Sequence, residues 1–526
     1  MFDELLDDEI EVLDSNKGTA VGIDLGTTNS VLSYAKDGKI TVVADGAGKT
    51  LHPSVVAWLP DGSRLTGAAA RNRRIIDPAN TVFSVKRIIG QPFSSIGVQD
   101  VIENLPYKVE EGSQDQSLIA TREGLLEIPQ VSSFVLDDLR KYAESSLGEP
   151  VAHCVITVPA NFSDTQRTAT RQAAEAAGLD VLRILNEPTA AAIAYGQDRP
   201  MHQRIAVFDL GGGTFDLTLL AVRGNLFEVL ATGGDPFLGG DDFDALLMER
   251  LATLFLSQHR IDPRDNEQSV AKLRAASEQI KQMLSKETVA EGSISQLAFG
   301  PGGAPLSLDF RVERSEFEEL IAPVVEKAIL TATAVLSEAD VLPNQIDEVI
   351  LVGGSTRVPL VARRVAEVFG QEPRCDIDPM QVVSMGAALQ AQTLWTGNSL
   401  SEKAPVLFDV TPHSLRVGTV GGYTKVIVPK NATLPAEGTG IFYTARDNQG
   451  VVQLTVCQGE EESLEANAPI GQVELSDIPD GRRGEIAIQV AFTIDADGLL
   501  QVSAREASTG VETSTTLTTV GVCEER

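Results

Sequence analysis

The fold of this chain is decided by a glycine-rich stretch that occurs twice, first as GIDLGTTNS at residues 22–30 and again as FDLGGGTFD at residues 208–216. Each copy follows an apolar, β-rich run and continues into another, so each is expected to form a β-hairpin with glycines at its tip. Glycine allows the backbone to approach a phosphate closely and to aim its N–H groups at the oxygens. Either copy alone also fits an ordinary tight turn, but a matched pair favours a phosphate site.

The polar residues of the two copies suit the same purpose. Asp24 and Asp209 are expected beside the phosphates, where two carboxylates require a cation between them, and Mg²⁺ held through its waters meets that need. Thr27, Thr28 and Thr214 add hydroxyl donors. The two stretches therefore predict a phosphate site that holds Mg²⁺.

A third glycine element, ILVGGSTRVP at residues 350–359, reads as a strand, a Gly-Gly turn and a helix. Ser355 or Thr356 is placed to cap the helix. Such a turn lets a ribose or a flat ring lie against the backbone, and Arg357 is placed to stack on adenine. A plain strand–helix turn has the same pattern, so only its position after two phosphate hairpins favours an adenosine site.

Two further stretches each have more than one interpretation. Pro188 near a helix start would present Glu187 at the helix N-terminus, either to orient an attacking water or as an ordinary first-turn glutamate favoured by the helix dipole.

GAGKT at residues 46–50 looks like a P-loop. Val43 stands where that motif needs its first glycine, and a β-like run follows at residues 54–58, so we expect no P-loop there.

Composition limits the classes of protein that remain. A chain of 526 residues is expected to form two or three domains. Its net charge of −31 argues against nucleic acid or an anionic membrane as a partner, and no apolar run has the length of a membrane span. The four cysteines show no metal-like or redox spacing, which predicts a reducing compartment and hence the cytoplasm.

The chain changes character once along its length. Residues 19–396 alternate strand-like and helical patterns, as in an α/β domain, whereas residues beyond 410 show the period-two alternation and turn signals of an antiparallel β-sandwich. Between them lies APVLFD at residues 404–409, an apolar segment that is unusual in a linker. The predicted parts are an acidic N-terminal tail at 1–18, a nucleotide-binding domain at 19–398, a linker at 399–410, a β-sandwich at 411–519 and a C-terminal tail at 520–526.

Together these motifs resemble the DnaK family, the heat shock protein 70 class of chaperones, over nearly all of residues 19–518. Further matching stretches are VKRIIG at 85–90, LGGDDFD at 238–244, DVTP at 409–412 and DNQ at 447–449. The resemblance implies a two-lobed, actin-like ATPase with a duplicated ribonuclease-H-like core, followed by a β-sandwich that binds peptides. It also implies ATP, ADP and Mg²⁺ as cofactors, roles in protein folding and the stress response, and extended apolar polypeptides, a J-domain co-chaperone and a nucleotide exchange factor as partners.

The resemblance implies a role for each matching residue. The residues implied in catalysis are Asp24, Arg71, Glu187, Asp209 and Thr214, with Asp24 and Asp209 as the magnesium-site carboxylates. The implied nucleotide contacts are Gly26, Thr27, Thr28, Gly211, Gly212, Gly213, Thr214, Glu278, Lys281, Gly353, Gly354, Ser355 and Arg357. The implied coupling residues are Pro159, Arg167, Val406, Leu407, Phe408 and Asp409. The implied peptide groove is Val417, Val420, Phe442, Ala445, Val452, Ile488 and Val490, although such alternating apolar residues equally suit a sandwich core.

Several departures from the family pattern carry expectations of their own. Arg71 aligns with a catalytic lysine of the main branch, and its forked guanidinium is expected to position water differently. Arginine there, together with residues 79–87 and 233–235, resembles the branch that serves iron–sulfur cluster assembly. Gln282, Asn161 and Pro405 replace an adenine-stacking arginine, an aromatic residue and an apolar linker residue. The sequence ends at Arg526 without a helical lid, so peptide is expected to exchange quickly in every nucleotide state.

Two other classes of protein share parts of this pattern. A small-molecule kinase of the hexokinase and acetate-kinase group has the paired phosphate hairpins, and fold alone cannot exclude it. The C-terminal β-domain and the apolar linker argue against a kinase, which needs neither. An actin-like filament protein or a non-catalytic nucleotide switch is the remaining alternative.

Overall fold

The structure is a computed structural model that describes residues 18–36, 39–196, 202–396, 405–495 and 499–516. The predicted C-terminal tail, the first part of the predicted linker and all of the predicted acidic tail except Gly18 lie outside the described residues. The described chain forms an α/β region in two halves, then a β-sandwich.

The first half of the α/β region is built on a six-stranded sheet with the order β12-β11-β1-β2-β3 and with β4 paired to β2. The elements of this half, in chain order, are β1 (Val21–Asp24), β2 (Asn29–Lys36), β3 (Lys39–Val42), β4 (His52–Pro53), β5 (Val55–Trp58), β6 (Arg64–Thr66), α1 (Gly67–Arg71), α2 (Arg73–Ile76), β7 (Thr81–Phe83), α3 (Ile96–Ile102), β8 (Val109–Glu111), β9 (Ser117–Thr121), β10 (Gly124–Glu127), α4 (Ile128–Leu147), β11 (His153–Val158), α5 (Asp164–Ala176), β12 (Asp180–Asn186) and α6 (Glu187–Gly196).

The second half is built on a five-stranded sheet with the order β18-β13-β14-β15-β19. Its elements are β13 (His202–Leu210), β14 (Phe215–Arg223), β15 (Leu226–Asp235), α7 (Gly240–His259), α8 (Glu267–Leu284), β16 (Val289–Phe299), β17 (Pro305–Glu313), α9 (Arg314–Glu338), β18 (Glu348–Val352), α10 (Pro359–Phe369) and α11 (Val382–Trp395). One apolar cluster, which includes Val155 of β11, Val207 of β13 and the alanines of α6, joins the two halves.

The central strands of the two sheets have matching neighbours, and both predicted hairpins are confirmed. β1 pairs antiparallel with β2 and parallel with β11, just as β13 pairs antiparallel with β14 and parallel with β18. Because both hairpins lead with a strand that is parallel to another, their glycine-rich tips emerge at corresponding ends of the two sheets. The P-loop-like residues 46–50 lead into β4 and β5 instead of a helix, as the sequence predicts.

Helix α9 is long and apolar enough to cross a membrane by length and composition alone. Its inner face, which includes Phe317, Ile321 and Val325, packs into the largest apolar cluster of the second half. The charged pair Glu326 and Lys327 interrupts the middle of the helix. These features are those of a core helix.

The C-terminal part consists of a linker strand and a sandwich of two four-stranded sheets, ordered β21-β20-β23-β24 and β22-β25-β26-β27. Its elements are β19 (Val406–Phe408), β20 (Leu415–Thr419), β21 (Tyr423–Val428), β22 (Ala436–Tyr443), β23 (Val452–Gln458), β24 (Ala468–Leu475), β25 (Ala487–Ile494), β26 (Leu500–Glu506) and β27 (Glu512–Thr516). The alternation that predicted the sandwich places Val456, Val490 and Phe492 in its core.

The linker strand lies on the α/β region. β19 pairs parallel with β15, with Val406 opposite Leu226 and Phe408 opposite Glu228. The predicted docking segment therefore extends the second sheet by one strand. Leu407 packs against the apolar cluster between the halves, whereas Val406 and Phe408 stay 43% and 40% exposed.

Candidate nucleotide site and interdomain contacts

The two hairpin tips meet. Thr27 and Thr214 are buried, and a Cβ atom added to Gly212 would lie 2.1 Å from Oγ1 of Thr28. A Cβ atom on Gly213 would lie 2.7 Å from Cδ of Arg87 and 3.0 Å from Cγ2 of Thr27. The glycines are therefore required for the close approach of the two tips, which brings threonines from both halves close together.

A cluster of four acids lies behind the tips, of which Glu187, Asp209 and Asp216 are buried and Asp24 is half-buried. Asp24 ends β1, Glu187 begins α6, and Asp209 and Asp216 flank the second hairpin tip. Burial, followed by repulsion from Glu187, raises the pKa of Asp24 to about 7 and that of Asp216 to about 8, and the same two causes raise the pKa of Asp209 well above its usual range. These carboxylates are too close to one another to ionise together without a cation.

Lys86 supplies one positive charge to this cluster. Its Nζ pairs with Oε1 of Glu187, and the two side chains are 8% and 7% exposed. Burial lowers the pKa of Lys86, but Glu187 and Asp24 outweigh it and raise the pKa above its usual value. One lysine against four carboxylates leaves an excess of negative charge.

The donor set fits a magnesium ion that arrives with a nucleotide. Carboxylates are hard oxygen ligands of the kind that Mg²⁺ prefers, and the excess negative charge favours a divalent cation. Over the part of the chain that the structure describes, no three His, Cys, Asp or Glu side chains come close enough to hold a metal directly. Asp24 and Asp209 would therefore hold the ion through its water ligands and the phosphate oxygens.

The structure does not bring Arg71 to the carboxylates. The end of α1 places its guanidinium against Glu278 of α8, where Arg74 also donates to Glu278 at 2.8 Å. Lys86, which sequence reasoning did not single out, is instead the cation that lies against the acidic cluster. The sequence did contain an indication of this role for Lys86. It lies within the family-like stretch at residues 85–90, whose apolar neighbours predict a buried lysine, and a buried lysine needs an acidic partner.

The third glycine element lies against the second hairpin tip, and its hydroxyl groups do not act as predicted. Gly353 has a φ of 84°, and Oγ of Ser355 donates to the carbonyl of Gly211 at 2.7 Å, which ties this turn to the second hairpin tip. The prediction that Ser355 or Thr356 caps the helix is wrong, because α10 begins at Pro359, after Val358. Arg357 is 43% exposed and pairs with Asp378, while Gly354 lies beside Met380.

Helix α8 forms the opposite wall. Lys281 donates to Asp244 at 2.7 Å and to the carbonyl of Gly240 at 2.9 Å, so it is tied to α7. Glu278 is tied to Arg71 and Arg74 of the first half of the α/β region. The two ion pairs of Glu278 with Arg71 and Arg74 therefore link the two halves of the α/β region, and we call them the latch.

We expect Gly239→Ala to weaken ATP binding by about tenfold, which corresponds to about 1.4 kcal/mol. An added Cβ atom would lie 2.5 Å from the backbone oxygen of Gly212, so the phosphate hairpin must move. Gly46→Ala is the matched control, since nothing lies within 4 Å of its Cβ position. Titration with a fluorescent ATP analogue measures both, and equal affinities would contradict the role of this contact.

The predicted coupling residues form a chain of polar contacts. Arg167 donates to Oδ1 of Asn186 at 2.7 Å, and Nδ2 of Asn186 donates to Asp409 at 2.6 Å. Asn186 directly precedes Glu187, so the chain ends next to the acidic cluster. Pro159 lies at the start of the turn that leads to α5, where its carbonyl accepts the N–H of Phe162. Asn186 was not predicted, because an asparagine at a strand end has no distinctive pattern.

The predicted peptide groove is corrected in part. Val417, Val452, Ile488 and Val490 are 0–8% exposed and belong to the sandwich core, because the alternation of their strands turns them inward. The other three remain outside the fully buried core. Val420 is 72% exposed on the turn after β20, Phe442 packs partly against the core, and Ala445 donates its N–H to Gln449 at 2.8 Å.

Fold and site together define a class of protein: a nucleotide-binding domain in two halves, with an acidic phosphate site, joined through a docked linker strand to a β-sandwich. A family model described as Hsp70 protein matches residues 20–525, so the chain belongs to the Hsp70 family. It is therefore an ATP-dependent chaperone: an ATPase that uses ATP, ADP and Mg²⁺ and binds polypeptide clients and co-chaperones.

Proposed function

We propose that the acidic cluster hydrolyses ATP and that the β-sandwich captures and releases extended apolar peptide segments in step with it. The observation that carries the proposal is the hydrogen bond from Asn186, the residue before Glu187, to Asp409, the residue after the linker strand. A nucleotide that shifts the hairpin tips would also displace Glu187. Through the adjacent Asn186, that displacement would reach the linker.

The proposed reaction transfers the terminal phosphoryl group of ATP to water. A bond forms between the water oxygen and phosphorus, the bond from phosphorus to the bridging oxygen breaks, one proton of the water passes to a phosphate oxygen or to solvent, and ADP and phosphate leave. Glu187 and Lys86 orient the water, and Thr27, Thr28 and Thr214 donate to phosphate oxygens. Mg²⁺ bound with the nucleotide would neutralise charge on those oxygens.

The docked linker strand supports coupling between the two activities. Leu407 is partly buried against the α/β region, and Lys430 of the sandwich pairs with Glu338 of α9 at 2.6 Å. Release of β19 would expose Leu407 and free the sandwich, so docked and released arrangements are the two states that ATP and ADP would bias.

For the client, we propose an extended apolar peptide bound at the exposed turns of the sandwich. Val420 and Ala445 lie on the turns after β20 and β22, and Tyr443, 60% exposed at the end of β22, adds apolar surface two residues before Ala445. Backbone hydrogen bonds would give generic affinity, and these side chains would give the preference for apolar residues. A J-domain co-chaperone, a nucleotide exchange factor and a cytoplasmic location remain part of this proposal.

A client in iron–sulfur cluster assembly remains a prediction from sequence. It rests on the stretches at residues 79–87 and 233–235, because Arg71 lies against Glu278 and not beside the acidic cluster. The kinase alternative is disfavoured by the sandwich and the docked linker strand, for which a small-molecule kinase has no use.

Single-turnover ATP hydrolysis with and without a short apolar peptide tests the proposal. We expect the peptide to accelerate hydrolysis by the unaltered protein, and Asp209→Asn to lower the rate by about a hundredfold in both conditions, since it removes a charge that organises the transition state. Hydrolysis that ignores the peptide would mean an uncoupled ATPase. Tight ATP binding without hydrolysis would favour a nucleotide switch.

A further inference from the structure

The single turn of 3₁₀-helix at Val85–Arg87 carries two basic side chains that contact different elements. Lys86 contacts Glu187 of the acidic cluster, whereas Arg87 contacts the start of α7 in the other half of the α/β region. The sequence patterns assigned Arg87 no role of its own. Its side chain is only 12% exposed, and an arginine that is nearly buried keeps its charge and therefore needs fixed acceptors.

The acceptors of Arg87 belong to a segment that reaches across to the first half. Residues 236–239 join β15 to α7, and Phe237 within them packs against the apolar cluster of the first half. Nη2 of Arg87 donates to the carbonyl of Phe237 at 2.9 Å. The guanidinium also lies 3.9 Å from Asp241 and 3.7 Å from Asp242. Its planar fork thus joins one carbonyl and two carboxylates of the second half to the first half.

Ser84, directly before the turn, makes a second contact with the same segment. Its Oγ donates to Oδ2 of Asp241 at 3.0 Å. The backbone of Ser84 has a φ of 57°, a left-handed conformation that residues with a side chain rarely adopt. Such conformations persist where the surrounding contacts hold them, and they are frequent at functional sites. The turn is therefore fixed on the second half by two neighbouring side chains, only one of which is charged.

The start of α7 in turn holds the second hairpin tip. The N–H groups of residues 240–241 donate to the carbonyls of residues 211–212 at 3.0 and 2.7 Å. The stem of Arg87 also lies against the tip itself, because a Cβ atom added to Gly213 would lie 2.7 Å from Cδ of Arg87. Arg87 is thus linked to the tip twice, by direct contact and through the start of α7.

We propose that Arg87 is a positioning residue for phosphoryl transfer: it fixes the second hairpin tip at the distance and orientation from Lys86 that the reaction requires. Because Lys86 and Arg87 share one turn, the residue that orients the water and the tip that holds the phosphate are aligned by the same element. This inference rests on the proposed function and adds a residue that acts through the tip and not on the nucleotide.

An ordinary structural ion pair is the alternative role for Arg87, and Arg140 provides the comparison. Arg140 pairs with Asp137 and Glu144 at 2.7 and 2.9 Å and is 25% exposed. Both partners lie on its own helix, α4, so these ion pairs cannot align one half with the other. Arg140→Met is therefore a matched control that also removes an arginine with two acidic partners.

The experiment compares Arg87→Met, Arg87→Lys and Arg140→Met with the unaltered full-length protein. Methionine keeps an apolar stem against Gly213 but removes the guanidinium, whereas lysine keeps the charge without the fork that spans the carbonyl and both carboxylates. Three quantities are measured. They are the single-turnover hydrolysis rate at saturating ATP, the affinity for a fluorescent ATP analogue, and hydrogen exchange at residues 240–241 with a non-hydrolysable ATP analogue.

We expect Arg87→Met to lower the saturating rate by about a hundredfold, the usual cost of misplacing reacting groups by about 1 Å. The affinity should change by less than about threefold, because the aligned tip is needed in the transition state more than in the bound ground state. Exchange at residues 240–241 should accelerate, since these N–H groups lose their fixed acceptors. Arg87→Lys should show the same changes to a smaller extent, and Arg140→Met none of them.

An unchanged saturating rate in Arg87→Met would overturn the inference, and so would a lower rate with unchanged exchange at residues 240–241. Weaker binding with an unchanged saturating rate would show a purely structural role and would overturn it as well. Arg87→Lys supports the same comparison should Arg87→Met not fold. Absence of hydrolysis by the unaltered protein would overturn the proposed function, and the inference with it.

Discussion

Replacing Lys86 by methionine is expected to lower single-turnover ATP hydrolysis by about a hundredfold or more, the usual cost of removing one preorganised charge or donor from a phosphate site. Methionine keeps the length and apolar stem of lysine but leaves Glu187 without its partner in a site where both are buried. Loss of one member of a buried pair also costs about 3 kcal/mol of stability, so the rates must be compared well below the unfolding temperature.

Arg71→Met is the control that separates the structural assignment from the sequence-based one. Arg71 contacts Glu278 and not the acidic cluster, so this variant is expected to retain most of its hydrolysis rate. We expect Lys86→Met to bind a fluorescent ATP analogue with unchanged affinity. This result would show that the lower hydrolysis rate arises in the chemical step. Loss of hydrolysis in Arg71→Met with a normal rate in Lys86→Met would reverse the assignment.

Glu278→Gln is expected to accelerate ADP release by about tenfold, which corresponds to about 1.4 kcal/mol. Burial raises the pKa of Glu278, but Arg74 and Arg71 outweigh it and hold the pKa below its usual value, so the carboxylate is charged and bound to both. Most of the effect should come from Arg74, which is 14% exposed, because the more exposed Arg71 pair is screened by solvent.

Stopped-flow release of a fluorescent ADP analogue measures this rate. Glu287→Gln is the matched control, since Glu287 is exposed just beyond the end of the same helix and its loss should leave release unchanged. Hydrolysis in Glu278→Gln should stay close to that of the unaltered protein under single-turnover conditions, because the latch lies away from Lys86 and Glu187. Unchanged release would show that the two halves are held together elsewhere.

The sequence predicted best where a pattern is local. Both hairpins follow from a glycine-rich tip between two apolar runs, and the sandwich follows from alternation within single strands. The rejection of a P-loop at residues 46–50 was confirmed because Pro53 and a β-like run cannot continue a helix. The predicted helix cap at Ser355 was wrong for a non-local reason, since its hydroxyl group donates to Gly211, 144 residues earlier in the chain.

By itself, the sequence determined that one α/β region contains two glycine-tipped hairpins and that a β-sandwich follows an apolar linker, because backbone conformation and strand alternation depend on near neighbours. The tertiary structure alone decided which cation serves the acids and which apolar residues face inward. Lys86 and Glu187 lie 101 positions apart, Arg71 and Glu278 lie 207 apart, and Asn186 and Asp409 lie 223 apart. Such partners are set by sheet register and by the closure of one half on the other, which no local pattern encodes.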